Sequence, residues 1–241
     1  MICLHRSFFA RAVCFIFIAV SAFLLAGCSR SGEIEPVQLK EGSGIKVARF
    51  NVKDYGCFDL RIFSHGNGDS GSSFLVNAEN GYYNGKTIKN VIEDYGLIIS
   101  SENEGESGVS DASFEDEIYK SFYPLFGSLV LTDSSKGTSA DSFMIITADS
   151  EFLSDLKELL AYKKITPAEY YKTAYGTDLT EEQLAVFDKY GGAPWLYGHC
   201  IVLGQVYSGQ DVISALSKVP VEEGSTYIPE EELIIESVEV R

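Results

Sequence analysis

The sequence predicts a mainly β fold, either a barrel or a sandwich. Short apolar runs separated by glycines recur from residue 45 to residue 240, and many short strands with glycine turns are typical of both folds. In one run, Phe58, Leu60 and Ile62 alternate with Asp59 and Arg61, which is the period of a strand with one buried face. The length of 241 residues suits one domain of moderate size, or one domain with an appendage.

Eight of the apolar runs are long enough to be strands. They cover residues 45–52, 58–62, 87–92, 97–100, 129–132, 143–147, 201–206 and 233–240. A short helix is predicted over 74–80, where Gly81 ends it. We therefore expect residues 45–241 to form the folded domain.

The interval 149–192 breaks this pattern and is predicted to be helical. Ser150 is placed to cap a first helix. Two further helix starts have capping-box sequences, Thr-Pro-Ala-Glu at 166–169 and Thr-Glu-Glu-Gln at 180–183, and two glycines at 191–192 end the last helix. Such a length is too great for an ordinary connection between strands, so we interpret it as a helical insertion.

Residues 1–27 have the pattern of a signal peptide. Two arginines precede an apolar run at 12–27, which is shorter than the ~20 residues that a membrane-spanning helix needs. The run ends in Leu-Ala-Gly-Cys at 25–28, which resembles the bacterial lipobox, whose cysteine is diacylated; the alternative is an ordinary signal peptide with a chance cysteine. We expect lipid attachment at Cys28, a polar tether over 28–44 and an extracytoplasmic protein anchored to a bacterial membrane.

The chain is strongly acidic, with a formal charge of −16. Without the leader's two arginines the charge is −18, from 17 basic and 35 acidic residues. This excludes a typical nucleic-acid binder, which needs a basic surface. The three histidines and five cysteines show no metal-ligand spacing, so no metal site is expected. Cys57 and Cys200 remain in the mature chain, either as a disulfide or as two separate thiols.

Seven short segments carry the most specific pattern. They are GYYNG at 81–85, VIEDY at 91–95, FEDE at 114–117, SFMI at 142–145, WLYG at 195–198, VLGQV at 202–206 and IESV at 235–238. In order and spacing they resemble motifs of the cyclophilins, the barrel-shaped peptidyl-prolyl isomerases. The resemblance covers about residues 45–240 except the helical insertion. It implies a closed eight-stranded β-barrel with flanking helices.

The resemblance also implies a reaction, rotation about an X-Pro bond. The barrier is about 18–20 kcal/mol because amide resonance must be broken. Cyclophilins use no cofactor; an arginine donates a hydrogen bond to the proline nitrogen and favours the twisted transition state. Here the arginine position falls on Asn90, next to Lys89, and the family's glutamine falls on Ile98 or Ile99. Because asparagine is shorter and uncharged, we expect Asn90 to be a weak catalytic donor.

The same resemblance assigns a substrate-binding pocket. Phe143 and Met144 occupy the positions of two family aromatics, and Trp195 retains the family's tryptophan. Leu203 stands where the family has phenylalanine, and Cys200 where it has histidine. These five residues are the predicted substrate-binding set; the alternative for each is an ordinary place in the barrel.

Two functions are compatible with these features. The first is a peptidyl-prolyl isomerase of reduced activity that assists the folding of envelope or secreted proteins through their proline-containing segments. The second is a non-catalytic, peptide-binding or scaffold lipoprotein with a cyclophilin fold. A solute-binding lipoprotein fits less well, because such proteins usually have two α/β lobes. The expected partners are proline-containing peptides and, through the lipid, the membrane; nucleic acid is not among them.

Overall fold

The computed structural model describes residues 34–40, 45–64, 69–100, 118–132 and 142–241. Within these residues, eight antiparallel strands close into a barrel in the order β1-β2-β7-β5-β6-β4-β3-β8, and β8 pairs back to β1. The strands are β1 Lys46–Val52, β2 Gly56–Ile62, β3 Thr87–Ile92, β4 Gly96–Ser100, β5 Ser128–Thr132, β6 Ser142–Ile146, β7 Cys200–Ser208 and β8 Leu233–Val240. The closed barrel confirms the fold class implied by the resemblance.

Five α-helices accompany the barrel in the described part of the chain. They are α1 Ser70–Glu79, α2 Ser150–Tyr162, α3 Pro167–Tyr175, α4 Glu181–Tyr190 and α5 Gln210–Leu216. Two short 3₁₀ helices cover Val37–Leu39 and Pro194–Leu196. Three of these five α-helices lie in the interval 149–192 that is predicted to be helical.

The helix caps agree with those predicted from the sequence, except at the start of α2. The Asp149 carboxylate, and not the predicted Ser150, caps α2 by accepting a 2.9 Å hydrogen bond from the Phe152 N–H. Asp149 has an extended backbone, while Ser150 is already helical, and a cap residue must lie just outside the helix. The capping box before α4 is complete, because Thr180 and Gln183 each accept a bond from the other's backbone N–H.

The barrel interior is filled by alternate side chains of the strands together with aromatic rings. Phe50 and Phe58 stack at 5.0 Å between ring centroids, and α1 adds Phe74, which stacks on Tyr83 at 4.9 Å. All four side chains are buried. This interior set, which we call the barrel core, also contains the inward residues of β4 to β7, Leu97, Ile99, Leu129, Leu131, Ile145, Ile201 and Leu203.

A second apolar cluster lies on the outer face of the barrel, where α2, α3 and α4 cover β5 and β6. We call it the outer cluster; its buried members are Tyr123, Leu125, Val130, Met144, Ile146, Ala148, Leu153, Tyr171, Leu179, Leu184, Val186, Phe187, Ala193, Trp195, Tyr197 and Cys200. It joins barrel and helices into one compact unit, Ile34–Arg241. Independence of the 149–192 insertion from the barrel stays a prediction.

Residues 34–40 belong to this unit, although they fall within the predicted tether, 28–44. The Gln38 side chain is buried, and its amide oxygen accepts a 2.8 Å hydrogen bond from the Tyr123 N–H. Its amide nitrogen donates to the Tyr123 carbonyl at 2.5 Å and to Gln205 Oε1 at 3.1 Å. Ser128 Oγ donates to the same Gln205 oxygen at 2.8 Å. The first described residues are thus fixed to the barrel by a buried polar network.

One ion pair lies on the barrel wall, and its carboxylate is nearly buried. Arg49 on β1 faces Asp59 on β2, and its guanidinium donates two 2.7 Å hydrogen bonds to the carboxylate. These bonds lower the pKa of Asp59 below its ordinary value. Two parallel bonds of this kind fix both side chains and hold the register of the two strands.

The predicted signal peptide, Cys28 and the predicted tether up to residue 33 lie outside the described residues, as do positions 41–44. Among the residues that are described, no helix has the length and apolar character required to cross a membrane.

The Gln38 network yields a stability prediction. Gln38→Ala should lower the free energy of unfolding by about 1–3 kcal/mol, because the Tyr123 and Gln205 groups lose a buried partner. Urea unfolding followed by circular dichroism measures the change. Gln210→Ala, at an exposed position, is the matched control and should stay within about 0.5 kcal/mol of wild type. Equal midpoints for the wild type and Gln38→Ala would show that the Gln38 side chain adds nothing to the stability of the fold.

Candidate active site

A row of cross-strand neighbours runs along the outer face of the barrel. Asn90 pairs with Ile98, Ile98 with Met144, Met144 with Val130, and Val130 with Val202. Directly paired residues of antiparallel strands lie on the same face of a sheet. Met144 and Val130 belong to the outer cluster, and Ile98 and Val202 pack against it. The row therefore leads from the asparagine at the arginine position into the outer cluster.

This row decides between the two positions proposed for the family's glutamine. Ile98 is the neighbour of Asn90 and Met144, whereas Ile99 faces the barrel core and is 1% exposed. The position beside the candidate donor is thus an aliphatic side chain with no hydrogen-bonding group.

Trp195 and Met144 lie together in the outer cluster. Trp195 is carried by the 3₁₀ helix Pro194–Leu196 and is 8% exposed, and Met144 is 7% exposed. The ring of Tyr95 stacks on the indole at 5.5 Å with an interplanar angle of 20°. The Met144 side chain lies over Gly96, where a Cβ atom would come within 2.5 Å of its Cγ.

Two of these residues were not named from the sequence. Tyr95 lies at the aromatic position of the VIEDY segment, so the motif match could have found it. Gly96 opens β4 and admits the Met144 side chain; a glycine at a strand start gives no such signal by itself.

Cys200 adjoins the same cluster and is chemically inert. It is 4% exposed, and burial raises the pKa of its thiol to about 12. At neutral pH the thiol is therefore protonated and is a poor nucleophile. In the described chain both Cys57 and Cys200 are free, and no group of three or more His, Cys, Asp or Glu side chains there is arranged to hold a metal ion.

Phe143 and Leu203 lie on the opposite face of the barrel wall. The Phe143 ring contacts Phe74 and Tyr83 edge-on at 5.4 and 5.5 Å, and Leu203 is a buried member of the barrel core. Because successive residues of a strand point to opposite faces, Phe143 cannot share a face with Met144. The structure thus brings Met144, Trp195 and Cys200 together, and keeps the other two predicted pocket residues apart from them.

Asn90 is half-buried, and its side chain is already engaged. Its amide nitrogen donates a 2.7 Å hydrogen bond to the Thr226 carbonyl. The next residue, Val91, donates its N–H to the Tyr227 carbonyl at 2.8 Å. The segment before β8 is therefore bound along β3, and Thr226 occupies one of the two N–H groups of the candidate donor.

Comparisons with known proteins agree with this fold. A protein of Staphylococcus saprophyticus, provisionally named a peptidyl-prolyl cis-trans isomerase, is 27% identical over 171 residues, or 70% of this chain and 78% of its own. A Staphylococcus aureus protein with the same provisional name is 25% identical over 171 residues, which again cover 70% of this chain and 78% of that protein.

Solved structures show the same architecture. A crystal structure of a cyclophilin-type peptidyl-prolyl cis-trans isomerase from Cryptosporidium parvum superimposes with a TM-score of 0.54 at 17% identity, covering 82% of this chain and 98% of that one. A second structure of that protein, in the presence of the dipeptide Ala-Pro, gives a TM-score of 0.53.

The family model for cyclophilin-type peptidyl-prolyl cis-trans isomerases matches residues 47–240. This span contains the helical interval, the row that begins at Asn90 and every residue of the barrel strands except Lys46. The chain belongs to the cyclophilin-type peptidyl-prolyl cis-trans isomerase family.

Proposed function

We propose that this protein is a peptidyl-prolyl isomerase of reduced activity that acts on proline-containing segments of envelope or secreted proteins. The observation that supports it is the placement of Asn90 on one row with Ile98 and Met144, leading to the cluster that holds Trp195. An apolar surface beside a hydrogen-bond donor is what rotation about an X-Pro bond needs. The relatives' provisional names agree with this activity.

The proposed mechanism uses binding and one hydrogen bond. The apolar outer cluster would take the proline ring, and the Asn90 amide would donate to the proline nitrogen as the amide twists. That donation favours the transition state over the planar ground state, which is the requirement for catalysis. An amide carries no charge, and Ile98 offers it no polar support, so the stabilisation is smaller than an arginine would give.

A second function has its own support. The Asn90 amide is hydrogen-bonded to the Thr226 carbonyl, which occupies one of its two N–H groups and fixes its orientation within the fold. A protein that only binds proline-containing segments, or serves as a scaffold in the envelope, needs no donor to the proline nitrogen. The two proposals differ in catalytic rate and not in what they bind.

We also propose that Cys28 is the site of lipid attachment and that the protein works outside the cytoplasm at a bacterial membrane. The support is the Leu-Ala-Gly-Cys sequence at 25–28 after an apolar run. Two acyl chains hold a protein stably on a bilayer, where one chain is marginal.

The donor assignment predicts a gain of function. Asn90→Arg should raise kcat/KM for an X-Pro peptide by up to about 10²–10³-fold, the usual contribution of one well-placed charged donor. A protease-coupled isomerase assay measures it. Asn80→Arg, at the exposed end of α1, adds the same charge away from the site and should leave the rate unchanged.

Two results would count against the assignment. If the wild type already matches Asn90→Arg, another group supplies the hydrogen bond. If both proteins bind proline peptides and neither accelerates isomerisation, the scaffold function is the correct one.

Lipid attachment is tested separately. Metabolic labelling with a palmitate analogue should label the wild-type protein and not Cys28→Ala, because only the former offers the thiol of the lipobox. Cys57→Ala is the control and should label like the wild type. Equal labelling of wild type and Cys28→Ala would refute the attachment site.

A further inference from the structure

The indole of Trp195, which is 8% exposed, contacts two tyrosine rings that come from different parts of the fold. Tyr95, in the turn between β3 and β4, stacks on it at 5.5 Å. Tyr175, the last residue of α3, lies with its ring centroid 6.2 Å from the indole. One wall thus belongs to the barrel and the other to the inserted helices.

This arrangement leaves no room for a ligand on the indole. Carbon atoms in contact lie about 3.5–4.0 Å apart, so a proline ring between two aromatic rings needs a separation of roughly 7–8 Å. The 6.2 Å between Tyr175 and Trp195 is too short for this. A proline ring can therefore pack on Trp195 only after one tyrosine has moved.

Of the two rings, Tyr175 is the more exposed; besides the indole it contacts the rings of Tyr170 and Tyr171, both on its own helix α3. It is 46% exposed, and the contact between its hydroxyl and that of Tyr170 is 3.5 Å long, at the limit of a hydrogen bond. Gly176 follows with φ +73°, and the space beside it is open among the described residues. Thr177, one residue later, is buried and donates a 3.1 Å hydrogen bond to the Trp195 carbonyl. The tyrosine can swing outward while the chain beyond it stays fixed.

The indole nitrogen of Trp195 lies in this covered site. Among the described residues, Trp195 Nε1 is buried and donates to no acceptor. A buried donor without a partner is costly, and water or a peptide carbonyl that enters when the site opens would remove that cost.

We propose that Tyr175 controls access to the indole of Trp195 and so determines which peptides reach the site. The proposal rests on the isomerase or peptide-binding function proposed above. In the closed arrangement the site is covered, and the apparent affinity for a peptide falls with the fraction of molecules that are closed. Tyr175 therefore acts on substrate binding and not on the rotation itself.

The test uses the full-length protein, in which Trp195 is the single tryptophan and reports directly on its own exposure. Tyr175→Ala should increase acrylamide quenching of the tryptophan fluorescence. It should also lower KM for an X-Pro peptide, and the Kd for the dipeptide Ala-Pro, by about 2- to 13-fold, which corresponds to the loss of one aromatic contact. The value of kcat should not change.

Two variants serve as controls. Tyr162→Ala removes a tyrosine of the neighbouring helix α2 that is 87% exposed, and it should behave like the wild type in every measurement. Tyr175→Phe keeps the ring and loses the hydroxyl, so quenching should stay close to the wild-type value. Circular dichroism melting curves verify that each variant is folded.

The outcomes separate this proposal from the proposed function. The proposed access control by Tyr175 is overturned if acrylamide quenching is unchanged in Tyr175→Ala. It is also overturned if quenching rises as much in Tyr175→Phe as in Tyr175→Ala, because the ring then does not cover the indole. A higher KM in Tyr175→Ala also overturns it and makes the ring a substrate contact. If quenching increases in Tyr175→Ala and neither protein binds Ala-Pro, Tyr175 does cover the indole, and the proposed isomerase or peptide-binding function is overturned.

Discussion

The apolar outer face of β4, β5 and β6 is the constraint on which the rest of the structure depends. A barrel wall normally buries its inner side chains and leaves the outer ones to water. Here Ile98, Val130, Met144 and Ile146 are apolar on the outer side as well, and burying apolar surface is the main favourable contribution to folding. This wall therefore requires a cover, and α2, α3 and α4 provide it. The same three helices also limit the exposure of Met144 and Trp195 in the candidate site.

The site differs from a simple open pocket because each of its parts already has a partner within the chain. Asn90 is bound to the segment before β8, Met144 lies over Gly96, and Trp195 is enclosed by tyrosines. The ring contacts on Trp195 have to be exchanged for contacts with substrate, so substrate binding competes with the protein's own packing. Weak activity would then have two separate physical sources, an uncharged donor and a covered binding surface.

Most of the fold could be predicted from the sequence, because the sequence features that indicate strands, turns and helix starts are local. Strand periodicity, glycine positions and the Thr180 capping box depend on neighbours a few residues apart, and the order of the motifs supplied the topology. The five predicted pocket residues stay a prediction, and strand parity divides them between the two faces of the barrel wall. Met144 and Phe143 are adjacent in one strand and must face opposite ways, as the structure shows. The parity of β7 likewise separates Cys200 from Leu203.

Other features could not be inferred from the sequence, because they depend on contacts between distant segments. Gln38 lies in a polar stretch that looks like a linker, and only its bonds to Tyr123 and Gln205 make it part of the fold. The contact of Tyr175 with Trp195 requires knowing how α3 packs on the barrel. The bond from Asn90 to Thr226 joins residues that are 136 positions apart.

The ion pair between Arg49 and Asp59 has a consequence for the behaviour of this protein in acid. The pKa of Asp59 is lower in the folded chain, so its stabilising effect is complete above the unfolded pKa and is lost only as the pH falls through the folded value. The sequence has an isoelectric point near 4.5, where mutual repulsion between molecules vanishes. On acidification the molecules would lose their electrostatic protection against association while this pair still holds β1 to β2. Association between molecules is therefore favoured at a pH at which this contact between β1 and β2 is still intact.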